Sequence, residues 1–253
     1  MILDKFKLEG KVALVTGAGR GLGQGMAVAL AEAGAEVALV GVTSTIQTAQ
    51  QVRALGRRVC EIKADLHERS SVQRIVDTAL EALGGIDVLV NNAGIIRRAA
   101  LLEFTEKDWA DVIQVNQSAV FFLSQAVARQ MVKQGRGGKI INIASLLAFQ
   151  GGIRVPSYTA AKSAVMGLTR LLANELAPHG INVNAIAPGY MITDNTAPLR
   201  ADPQRSSEIL ARIPASRWGE PEDLQGAVVF LASAASAYIN GITLAVDGGW
   251  LAR

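Results

Sequence analysis

Ser145, Tyr158 and Lys162 are the residues of this chain whose types and spacing best suit proton chemistry. Tyr158 and Lys162 stand at i and i+4, so a helix carrying them shows both on one face. A phenol titrates at about 10, and a tyrosine that exchanges a proton near neutrality needs a cation beside its anion. Lys162 is spaced to be that cation. Ser145 closes the apolar run Ile140-Ile141-Asn142-Ile143-Ala144 and can donate a hydrogen bond to a carbonyl or alkoxide oxygen. Singly, the three read as a surface aromatic, a solvated lysine and a turn serine. Jointly they suit proton transfer coupled to hydride transfer.

A second set is the loop Thr16-Gly17-Ala18-Gly19-Arg20-Gly21-Leu22-Gly23, between an apolar run and a helical stretch. Glycines here allow a tight turn and let a phosphate reach the backbone, with the positive end of the helix facing it. The strict G-x-G-x-x-G spacing fails in every frame, whereas Gly17-x-x-x-Gly21-x-Gly23 fits a longer turn of the same purpose. A dinucleotide is the expected ligand. Its type is left open at the end of the second strand, where an acidic residue would bond the ribose 2′-hydroxyl. Gly41-Val42-Thr43-Ser44 stand there, with no carboxylate to repel a 2′-phosphate. Arg20 is either a partner for such a phosphate or a solvated loop cation, so the chemistry leans toward NADP and leaves NAD possible.

The elements that must position these groups follow from hydrophobic patterning. Apolar, β-branched runs at residues 11–16, 36–40, 58–64, 86–90, 139–144, 182–187 and 242–246 predict seven strands. Their continuity, without alternation, predicts a parallel sheet covered on both faces. Helical periodicity fills residues 22–33, 45–55, 70–83, 106–134, 158–176, 203–213 and 221–233. Strand and helix alternate, which predicts a doubly wound α/β fold with right-handed crossovers. No linker divides the chain, so residues 1–253 read as one unit for cofactor binding and catalysis. Residues 188–216, with four prolines, read as a mobile lid over the ligand.

Composition narrows the function further. A chain of 253 residues buries roughly 70 to 75% of its unfolded surface, so no disulfide or metal staple is needed. The single cysteine, Cys60, and an opening segment without a secretory pattern predict a cytosolic protein. The apolar runs fall far short of the roughly 18 to 20 residues of a membrane span. Net charge is +3, and Lys and Arg are scattered. That argues against nucleic acid and leaves room for a small anionic ligand.

Taken together, Thr16-Gly17-x-x-x-Gly21-x-Gly23, Asn91-Asn92-Ala93-Gly94, Ser145, Tyr158-x-x-x-Lys162 and Pro188-Gly189 resemble the short-chain dehydrogenase/reductase family along essentially the whole chain. The resemblance implies a Rossmann-type seven-stranded sheet, usually in a homotetramer. It implies Tyr158 as general acid and base, Lys162 lowering its pKa and holding the ribose, Ser145 orienting substrate, and Asn116 continuing a proton relay. For the cofactor it implies contacts from Gly17, Arg20, Gly21, Leu22, Gly23, Asp65, Leu66, Asn91, Ala93, Gly94, Pro188, Gly189 and Thr193, besides Tyr158 and Lys162. The missing acid after strand two departs from the family's NAD-type pattern.

Several stretches are similar to the branch of that family acting on deoxy sugar acids, among them Ile95-Ile96-Arg97-Arg98, the residues from Phe149 to Tyr158, and Ala245 to Arg253. This implies a substrate of the 2-keto-3-deoxygluconate kind, from the breakdown of pectin-type polymers. A sugar acid needs a cation for its carboxylate and polar groups for its hydroxyls. Arg154 or Arg97 is the expected carboxylate partner and Gln150 the hydroxyl partner, with subunit-interface roles as the alternative. Rival readings are a gluconate 5-dehydrogenase, a 3-oxoacyl-carrier-protein reductase that would use Arg129 and Arg170, and a non-catalytic nucleotide sensor.

Overall fold

Each apolar run becomes a strand, and the periodic segments become the helices between them. The computed structural model describes residues 1–253. Its strands are β1 (Val12–Thr16), β2 (Glu36–Gly41), β3 (Val59–Lys63), β4 (Val88–Asn91), β5 (Gly138–Ile143), β6 (Ile181–Pro188) and β7 (Thr243–Val246). Its helices are α1 (Gly21–Glu32), α2 (Ile46–Ala54), α3 (Ser71–Leu83), α4 (Glu106–Ile113), α5 (Ala119–Gln134), α6 (Leu147–Gln150), α7 (Pro156–Leu176), α8 (Ala197–Ala201), α9 (Pro203–Arg212) and α10 (Gln225–Ala232).

The strands form one parallel sheet in the order β3-β2-β1-β4-β5-β6-β7, a Rossmann-type α/β fold. Successive strand residues point to opposite faces, which splits the core in two. Ala13 and Val15 of β1 join α1 and α10 on one face, while Val12 and Leu14 join α3 and α5 on the other. The chain reverses its direction of travel across the sheet between β1 and β4, and open α/β sheets hold ligands in the crevice at that point, beyond the strands' carboxyl ends.

Two expectations need correction. Burial on both faces is complete for β1 and β4 but not for β3 and β7. These are the edge strands, each paired on one side only, and although α2 and α3 both pack on β3, most residues of the two strands stay partly exposed. The helix expected over residues 106–134 is interrupted by one π-turn at Gln114–Ser118. No Gly or Pro announces it. The wider turn turns Asn116 into the interior, where both ends of its amide bond the main chain of Ile95, and such turns concentrate at functional sites.

Residues after β6 are more ordered than their prolines suggest. A single turn at Asp194–Thr196 leads into α8 and α9, and Met191 pairs with Gly219 across the segment.

Candidate active site

The glycine loop leaves β1 with Gly17 at φ +65°, a left-handed conformation that favours glycine. A Cβ on Gly23 would lie 2.1 Å from the Gly17 carbonyl oxygen, so the first turn of α1 packs on the loop with no room for a side chain. The loop is clamped to the end of β4. Asn92 donates from Nδ2 to the carbonyls of Thr16 (2.9 Å) and Gly17 (3.3 Å), and Thr16 Oγ1 accepts from the amides of Asn92 and Ala93, each at 3.0 Å. No side chain caps the start of α1, which leaves its first amides and positive end facing outward. Bare amides, a helix N-terminus and an absent Cβ fit the phosphates of a dinucleotide.

Pro156 opens α7, where its fixed φ suits the first helical position. Tyr158 therefore lies in the first turn and Lys162 one turn later. Lys162 is buried, and its Nζ donates to the Ile143 carbonyl at the end of β5 (2.5 Å) while lying 5.7 Å from the Tyr158 ring centroid. Burial pushes the ammonium down to about 8. Burial also pushes the Tyr158 phenol up, while the Ser145 hydroxyl and the Arg98 guanidinium pull it back down. Arg98 in turn is lowered by its own desolvation and raised by Tyr158. Arg98 thus acts on the phenol as a second cation, beside the Lys162 that spacing suggested. Ser145 stands just past β5, and its Oγ accepts from the amide of Leu147 (3.2 Å). A phenol, a hydroxyl and two cations converge here, an arrangement that can pass a proton to or from an oxygen and stabilise the charge that develops.

The remaining expected residues divide. Gly94 packs against Asn116, where a Cβ would meet Oδ1 at 3.3 Å, and Thr193 Cγ2 would lie 3.8 Å from a Cβ on Gly21, so Thr193 faces the glycine loop. Asp65 caps its own turn, accepting from the His67 amide (2.8 Å), with Leu66 buried behind it. Pro188 and Gly189 tie β6 to its neighbours, the Pro188 carbonyl accepting from Leu146 and the Gly189 amide donating to Val246. Asn91 turns its side chain inward. Its amide is consumed in the interior by Ser124 Oγ (2.9 Å) and Asn142 Oδ1 (2.8 Å), so Asn92 is the residue that meets the loop. Arg20 pairs with Asp194 at 2.7 Å, which occupies the charge expected to meet a 2′-phosphate. Asn116 bonds Ile95 and has no direct bond to Lys162, so the expected relay is not continuous through side chains.

The substrate cations are redistributed too. Arg97 lies 3.4 Å from Asp108 and 3.9 Å from Asp111 of α4, and is not free for a ligand carboxylate. Arg154, in a left-handed turn at φ +63°, is exposed. Gln150 does line a cavity of about 580 Å³ together with Leu147, Tyr190, Arg205, Arg212 and Trp250, among others, and Arg154 does not. The α9 arginines were missed because that helix shows one buried apolar residue, Ile209. The available signal was the spacing of Arg205, Glu208, Ile209 and Arg212 at i, i+3, i+4 and i+7, which puts them on one face.

The model of the short chain dehydrogenase family matches residues 11–204, and the chain belongs to that family. It is an NAD(P)-dependent oxidoreductase acting on a CH–OH group. Within the family it is similar to the 2-dehydro-3-deoxy-D-gluconate 5-dehydrogenases of Dickeya dadantii, 64% identical, and of Escherichia coli, 62% identical, with all of each chain covered. It is also similar, at 41% identity and a TM-score of 0.95 over 100% of both chains, to the crystal structure of a gluconate 5-dehydrogenase from Burkholderia cenocepacia in complex with NADP and tartrate. No helix is long and apolar enough to cross a membrane.

Proposed function

We propose that the protein interconverts a ketone and a secondary alcohol on a deoxy sugar acid, 2-dehydro-3-deoxy-D-gluconate, as the names of its relatives at 62 and 64% identity support. The observation that carries the mechanism is Tyr158 set beside Ser145, with the buried Lys162 Nζ 5.7 Å from its ring centroid and Arg98 favouring its anion. In reduction Tyr158 gives its proton to the substrate oxygen, and in oxidation it takes the hydroxyl proton. Ser145 donates a hydrogen bond to the same oxygen. Arg98 favours the phenolate, and buried Lys162 holds positive charge beneath the ring and reaches the ribose. Asn116 positions the loop from Ala93 to Ile96 against these groups.

The nicotinamide, when bound, supplies or accepts the hydride. Gly17, Gly21, Leu22 and Gly23 hold its phosphates, Asp65 and Leu66 the adenine end, Ala93 and Gly94 the middle, and Pro188, Gly189 and Thr193 the carboxamide end. Residues 1–253 act as one unit, with residues 188–216 as a lid joined to the site by Arg20–Asp194 and by Arg98 donating to the Asn195 carbonyl. Exposed Leu101, Leu102, Trp109 and Tyr238 support a homotetramer, since apolar side chains left open on one chain suit burial against another. A cytosolic place in the use of pectin-derived acids completes the reading.

The test mixes the purified protein with 2-dehydro-3-deoxy-D-gluconate and NAD or NADP and follows reduced nicotinamide by absorbance. Tyr158→Phe is expected to lose roughly 10²- to 10⁴-fold in kcat. A variant that keeps full rate overturns the role of Tyr158, and turnover of D-gluconate or an acyl-carrier substrate in place of the deoxy acid overturns the substrate.

A further inference from the structure

The functional reading demands a cation for the substrate carboxylate, at some distance from the oxygen that reacts beside Tyr158. Four arginines near the site are otherwise engaged or misplaced. Arg97 sits between Asp108 and Asp111, Arg205 pairs with Glu208 at 2.7 Å, Arg98 serves the reacting end, and Arg154 is no part of the cavity wall. Arg212 has no carboxylate partner.

Its guanidinium carbon lies 4.2 Å from the Trp250 ring centroid, and Nη2 donates to Gln150 Oε1 at 3.1 Å. The same oxygen accepts from Trp250 Nε1 at 2.9 Å. One amide oxygen therefore fixes the indole and the guanidinium together. Tyr190 packs on the Trp250 ring at 4.7 Å, and Arg253 donates to the carbonyls of Ala211 (2.9 Å) and Arg212 (2.7 Å), tying the last residues to the end of α9. A guanidinium restrained before its ligand arrives loses little freedom on binding and keeps donors for a carboxylate. Gln150 Nε2, bonded to nothing within the chain, adds another donor. The Gln150 wall continues directly from the reacting groups, because Leu147, which lines the cavity, donates its amide to Ser145 Oγ.

We propose that Arg212, oriented by Gln150 and Trp250, binds the carboxylate of the sugar acid and sets the preference for acids over neutral sugars. This rests on the sugar-acid dehydrogenase reading.

The test is steady-state kinetics of wild type, Arg212→Gln and Arg212→Lys at saturating cofactor, on 2-dehydro-3-deoxy-D-gluconate and on its neutral amide. A lost charged hydrogen bond raises KM for the acid by roughly tenfold to a hundredfold in Arg212→Gln, with kcat within about threefold and KM for the amide unchanged. Arg212→Lys, which keeps charge without the planar fork, falls between. An acid KM within about twofold of wild type overturns the assignment, as does an equal rise for acid and amide. A changed sedimentation coefficient in Arg212→Gln also overturns it, because the arginine would then hold a subunit contact. A wild type that turns over no sugar acid refutes the functional reading and removes the anchor with it, whereas an active wild type with an indifferent Arg212→Gln refutes the anchor alone.

Discussion

Lys162 should weaken the fold near neutral pH, and Lys162→Met makes this measurable. The side chain is 4% exposed and its one hydrogen bond goes to the Ile143 carbonyl. No carboxylate pairs with it, and burial takes its pKa from 10.5 to about 8. At about 1.36 kcal/mol per unit, the buried charge destabilises the native state by about 3 kcal/mol at pH 7. Between the folded and unfolded pKa values the unfolded chain binds more protons, so stability rises with pH through that window. From about pH 7 to about pH 9.5 this one group accounts for a gain of about 2 kcal/mol. Urea unfolding followed by tryptophan fluorescence, at both pH values and one protein concentration, gives that gain for wild type and variant. Lys139, also lowered to about 8 by burial, contributes to both proteins and cancels in the difference. Wild type is expected to gain about 2 kcal/mol more than Lys162→Met. Equal gains would refute the reasoning, because they would mean that the native lysine titrates as it does in the unfolded chain.

Gly23→Ala puts a methyl group 2.1 Å from the Gly17 carbonyl, so the loop must move, and the Kd for reduced nicotinamide is expected to rise more than about tenfold. A fluorescence titration with NADH and NADPH checks this, and unchanged affinity for both would show that the cradle lies elsewhere. Arg98→Met removes a cation that draws the Tyr158 pKa down. Oxidation needs the phenolate, so the rising limb of the kcat/KM profile for alcohol oxidation is expected to move to higher pH. An unmoved or lowered limb would show that Arg98 does not act on Tyr158.

Much of this architecture was legible because its causes are local. Continuous apolar runs require cover on both faces, glycines announce backbone that tolerates no Cβ, and i, i+4 spacing puts Tyr158 and Lys162 on one face. The π-turn at Gln114–Ser118 was not legible. Its cause is Asn116 meeting the main chain of Ile95, 21 residues away, and nothing in the helical period of residues 106–134 records that contact. The inward bonds of the Asn91 side chain were not legible for a similar reason. Asn91 is the last residue of a central strand, where its side-chain amide donates to Ser124 and Asn142.

Charge partnering is where reading residue by residue lost its hold, and it decides what the site can take. Arg97 and Arg98 are neighbours in the loop after β4 yet meet different groups. One meets Asp108 and Asp111, and the other influences Tyr158. On α9 the intrahelical carboxylate of Glu208 neutralises Arg205 and leaves Arg212. Three carboxylates thus remove two guanidinium groups from service and leave two without acidic partners. Arg98 serves the oxygen that gains or loses a proton, and Arg212 lines the cavity beside Gln150 and Trp250. A ligand with a reacting hydroxyl at one end and a carboxylate at the other uses both charges. A neutral ketone leaves the Arg212 charge unanswered, so acid preference follows from which carboxylates the fold itself holds back.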